Sequence, residues 1–109
     1  MRNRLEILSD LIPLKQNPIE LQNELSNYPW DSEKPLIIMT KNDFENVIQK
    51  AINDRVSFAE LEDWANVIEC RDDIGFDPED IQEYIFDLAS PELNGKITKE
   101  RLKQILNSL

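Results

Sequence analysis

Apolar residues recur at helical spacing in four stretches of this chain, and a residue able to cap a helix precedes each stretch. Phe44, Val47, Ile48, Ala51 and Ile52 share one side of a 3.6-residue period. Ahead of them stands Thr40, with Asp43 at the capping-box position and Met39 placed to meet Phe44 as a staple over the first turn. This helix is expected to end near Asn53 or Asp54. Ser57 and Glu60 complete a Ser-x-x-Glu box for the next helix, whose inner face is Phe58, Leu61, Trp64, Ala65 and Ile68, with Val56 opposite Leu61. Asp77 followed by Pro78 reads as cap and first residue of a third helix, with Phe76 opposite Ile81 and with Ile81, Tyr84, Ile85 and Leu88 inward. Thr98 opens a fourth, with Ile97 opposite Leu102, the stripe Leu102, Ile105 and Leu106, and Lys103 suited to the last turn.

Ahead of residue 40 the pattern is weaker. Leu5 to Leu11 suits one short helix, and Asn17-Pro18 opens another that runs to about Ser26 and is stopped by Pro29. Leu36-Ile37-Ile38-Met39 has the composition of a strand but finds no second segment to pair with. A lone strand leaves backbone groups unpaired, so extended, core-filling chain is expected there. The expectation is a mainly α fold, with residues 1–109 as one helical domain. Its architecture is a compact bundle of about five to six short helices, with one candidate extended segment at 36–39.

Composition agrees with a packed fold. Apolar residues make up 40% of the chain and charged ones 31%, more hydrophobic material than a disordered acidic tail contains. The stretch from Leu5 to Leu14 is broken by Glu6, Asp10 and Pro13, so it does not read as a signal peptide, and no run has membrane-span length. A single cysteine, Cys70, cannot close an internal disulfide, which makes the cytoplasm the expected compartment. Cys70 is expected as a partly buried structural thiol, having no histidine or nearby lysine to draw it to thiolate. Trp64 is read as core. Trp30, in a predicted turn, is also placed in the core, the alternative being an anchor for a partner.

The absence of histidine removes Ser-His and Cys-His nucleophiles, imidazole bases and histidine-containing zinc sites. Gly75 and Gly95 are the two glycines, too far apart to form a phosphate-cradling loop. Calcium fails on spacing: with Gly75 at the sixth position of an EF-hand loop, positions one, three and five would be Cys70, Asp72 and Ile74. No catalytic residue, metal or cofactor is assigned, and the chain is expected not to be an enzyme.

Charge is unevenly distributed. Residues 57–95 hold twelve acids and one cation, Arg71, a net of −11, whereas residues 96–109 carry a net of +3. Glu79, Glu83 and Asp87 follow one another at i, i+4 with Asp80 beside them, and like charges at that spacing repel by a few tenths of a kcal/mol. A solvated helix face would account for the cluster, and so would a basic partner. The candidate partner-binding residues are Glu62, Glu69, Asp72, Asp73, Glu79, Asp80, Glu83 and Asp87, with Arg71 expected to order its loop by pairing with nearby acids. Such a surface attracts cationic proteins and repels nucleic acid and anionic membrane.

Trp64-Ala65-Asn66-Val67-Ile68-Glu69, Arg71-Asp72-Asp73-Ile74, Leu88-Ala89-Ser90-Pro91-Glu92-Leu93 with Gly95, and Pro29-Trp30-Asp31 together resemble a group of small acidic bacterial proteins. The likeness runs from about Leu25 to Leu106, and within that group it is to immunity proteins of contact-dependent inhibition and related toxin systems. The resemblance implies a cytoplasmic protein that binds a cognate toxin domain, many of which are nucleases with basic clefts. It assigns no individual contact residue. The competing expectation is a non-enzymatic regulatory or adaptor domain that binds a basic host protein.

Overall fold

The computed structural model describes residues 3–29, 33–69 and 71–109, and the backbone alone at Asn94. Trp30 and Cys70, for which burial was expected, lie outside the described residues. The elements in order are α1 (Arg4–Leu11), α2 (Pro18–Leu25), β1 (Ile37–Thr40), α3 (Lys41–Ile52), α4 (Phe58–Glu69), β2 (Ile74–Asp77), α5 (Ile81–Ala89), α6 (Pro91–Asn94) and α7 (Lys99–Ser108). The fold is mainly α, with a small parallel sheet.

Most helices start where their caps direct. The Asn3 side chain accepts from the Glu6 N–H, and Asn17 accepts from the N–H groups of Ile19 and Glu20. Thr40 and Asp43 form a reciprocal capping box, as do Ser57 and Glu60, and Thr98 accepts from Arg101. Each such bond satisfies a backbone N–H that the first helical turn leaves without a partner. Helix α6 adds one turn that periodicity is too coarse to detect, although Ser90-Pro91 carries the local signature of a helix start. Gly95 follows at φ +98°, a conformation that suits glycine, and turns the chain toward α7.

Two expectations need correction. The segment at 36–39 is not lone extended chain: Ile37–Thr40 pairs in parallel with Ile74–Asp77, Ile38 standing opposite Gly75 and Thr40 opposite Asp77. The partner strand was concealed in a segment read as a loop leading into a helix cap. Asp77 is accordingly not the cap of the third predicted helix. Its backbone belongs to the β ladder, a turn through residues 78–80 follows, and α5 begins at Ile81. The connection between the parallel strands carries α3 and α4, consistent with the long crossover that parallel pairing requires.

One contiguous core draws on every helix except α6. Helix α4 packs against α2 and α5, α3 against α7, and α1 against α2. An aromatic row crosses the centre, with the Phe44 ring 6.4 Å from Trp64 and 5.9 Å from Tyr84 between centroids. Trp64 is fully buried, and its indole Nε1–H donates to the Leu11 carbonyl at 2.8 Å, so the one polar atom of that side chain is satisfied inside the core. Met39 and Ile74 turn the inner face of the sheet into the same core, against α1, α3 and α5.

Candidate partner-binding surface

The eight acids singled out by charge distribute over α4, the segment into β2, the turn after β2, and α5. Glu62 is half-buried on α4, and Glu69 is exposed at its last residue. Asp72 is exposed just ahead of β2. Glu79 and Asp80 are exposed in the turn that precedes α5, so Glu79 is not part of a continuous helical stripe. Glu83 is exposed in the first turn of α5, with Asp87 half-buried one turn on. Of the expected stripe, the i, i+4 pair Glu83 and Asp87 is the part that lies on a helix.

Asp73 does not belong to this surface. It is fully buried, and its carboxylate is enclosed by two arginines. Arg71 Nε donates to Oδ1 at 2.9 Å and Arg71 Nη2 to Oδ2 at 2.7 Å, while Arg4 Nε donates to Oδ2 at 2.8 Å. The Asp73 backbone carbonyl also accepts from the N–H groups of Leu36 and Ile37, at 2.8 and 3.3 Å. Asp73 thereby ties α1, the chain leading into β1, and the segment ahead of β2 to one point. A buried carboxylate needs such pairing to remain charged. The expectation that Arg71 orders its loop through a neighbouring acid matches this geometry, and Arg71 further donates to the Pro29 carbonyl at 3.3 Å.

The exposed charges of this surface are carboxylates. Arg71, the one cation of residues 57–95, has a side chain only 7% exposed and directs its charge inward. Asp72 and Glu79 converge on an open cleft whose lining also includes Arg71, Pro35, Ile38, Gly75 and Gln82. Glu62, Glu69, Asp80, Glu83 and Asp87 stand outside that lining. Charge counting passed over the apolar contributors, because Ile38 gains its neighbours only through strand pairing. One signal was available: alternation from Leu36 to Thr40 sends Ile37 and Met39 inward and leaves Leu36, Ile38 and Thr40 outward. Phe86, 48% exposed on α5, is a further apolar group beyond the charge pattern.

Two features bear on chemistry. Among the described residues no group of three or more cysteine or carboxylate side chains is placed to hold a metal ion. Among the same residues no helix is long and apolar enough to cross a membrane. The arrangement offers acidic and apolar contact area beside a shallow cleft, which suits recognition of a complementary macromolecular surface. Comparison with protein-family models, curated proteins and solved structures finds no match.

Proposed function

We propose that this chain is an immunity protein that acts in the cytoplasm by binding a cognate bacterial toxin domain with a basic surface and blocking its active site or its access to substrate. The observation that carries this reading is the unbalanced acidity of residues 57–95, whose single arginine is held inward by Asp73. Stability does not call for Glu83 and Asp87 at i, i+4, where like charges repel. A cationic partner would turn that repulsion into attraction and speed encounter. A nuclease toxin, whose substrate is a polyanion, has the basic cleft that such a surface would match.

Co-expression tests the proposal. A toxin domain encoded beside this chain should lose its lethality when the chain is present, and simultaneous Glu79→Lys, Glu83→Lys and Asp87→Lys should weaken the complex severalfold or more at low salt. Persistent lethality, or unchanged affinity of the triple variant, counts against it. A stable complex with an endogenous basic transcription or translation factor would favour the adaptor reading instead.

A further inference from the structure

We propose that the outer face of the β1–β2 sheet is the anchor point of the partner interface, and that its occupant is a protein surface presenting an arginine or lysine beside an aliphatic side chain. This inference rests on the reading of the chain as a binding protein for a basic partner and locates where that partner engages.

Parallel sheets are ordinarily covered on both faces. Here the inner face is closed by Met39 and Ile74, whereas on the outer face Leu36 is 44% and Ile38 46% exposed. Gly75 makes this open face smooth. A Cβ at Gly75 would stand 2.6 Å from Ile38 Cδ1 and 3.1 Å from Pro35 Cγ. The missing side chain is therefore what lets Ile38 and Pro35 lie across β2 as a small apolar floor within a mostly polar lining.

The rim decides which partner fits that floor. Asp72, Asp77 and Glu79 are exposed around it, three carboxylates against the one cation of the lining, Arg71, whose guanidinium is hydrogen-bonded to Asp73. Glu33 and Lys34, at the end near Pro35, cancel in charge. An apolar floor with an acidic edge matches a long-stemmed cation, whose methylenes cover Ile38 while its head reaches the carboxylates. A second copy of this chain is a poor occupant. A two-fold contact would set like rims against each other on molecules that each carry a net charge of −10.

The test is an NMR titration of the full-length, isotope-labelled chain with a blocked peptide of alternating leucine and arginine, set against one of alternating leucine and glutamate. Saturable shifts confined to residues 36–40 and 72–79, seen with the arginine peptide alone, are expected. Ile38→Ser should weaken this binding by at least about 5-fold without altering the helical circular dichroism, and Ile38→Val should restore most of it. No binding, shifts spread over the acidic helices, or equal binding by Ile38→Ser would overturn the site. Peptide binding here with no protection from any toxin would remove the immunity reading and leave the docking site standing. Protection that survives Ile38→Ser, with unaltered peptide shifts, would do the reverse.

Discussion

Arg71 and Asp73 form a two-pronged ion pair across one intervening residue, with both guanidinium–carboxylate bonds at 2.9 Å or less and Asp73 wholly out of solvent. Two oxygens facing two nitrogens of a planar fork hold the backbone between them in one conformation. That conformation directs Asp72 outward while Asp73 and Ile74 turn in.

Removing the buried charge should be severe. Asp73→Asn leaves Arg4 and Arg71 without their shared counter-ion, and loss of one member of a buried pair costs about 3–5 kcal/mol. Urea denaturation should show a correspondingly lower midpoint. Arg4→Met, which removes the more exposed of the two arginines at 18% side-chain accessibility, should cost less.

Trp64→Phe should destabilise by about 1–2 kcal/mol, since it deletes one of two donors to the Leu11 carbonyl, which keeps the Leu14 N–H, and leaves space beside Phe44. A loss well under 1 kcal/mol in chemical denaturation would show that the indole hydrogen bond contributes little to the core.

The helix starts offer a paired comparison. Thr40→Ala, Ser57→Ala and Thr98→Ala each remove an observed cap and should cost about 1 kcal/mol. Asp77→Ala, at a position resembling a cap in sequence but lying at the exposed end of β2, should change stability by less than about 0.5 kcal/mol. Thermal melts of the four variants would separate the two cases.

Charge on α5 should trade stability against binding. Asp87→Lys replaces a repulsive i, i+4 pair with an attractive one near the C-terminal end of the helix, so the free protein should gain about 0.5–1 kcal/mol. The same substitution should slow association with a basic partner and reduce the salt dependence of its on-rate, as stopped-flow mixing would record.

Gly75→Ala should displace the Ile38 side chain, which is visible in the Ile38 methyl resonances, while changing stability by less than about 1 kcal/mol. The clash falls on the far end of a half-exposed side chain, and alanine loses less backbone entropy on folding than glycine does. If Ile38 stays in place and stability falls by several kcal/mol, the clash with Pro35 governs instead.

Local chemistry was enough to locate the caps Asn17, Thr40, Ser57 and Thr98, the inward faces of α3, α4, α5 and α7, and the acidity of residues 57–95. Capping, helical periodicity and net charge all act within a few residues along the chain or depend on composition alone. Strand β2 was illegible because Ile74-Gly75-Phe76-Asp77 is short, contains a glycine and ends in an acid before a proline, so it becomes a strand only when Ile37–Thr40 supplies hydrogen bonds from 37 positions earlier. The same long-range pairing decided the site. It withdrew Asp73 from the acidic surface into a pair with Arg4, 69 positions away, and it set Ile38 over Gly75. The chain by itself determined that this protein is helical and locally acidic. Tertiary structure decided which acids face outward and where a small apolar floor lies among them, because the pairing of Asp73 with Arg4 and the register of β1 against β2 join residues far apart in the chain.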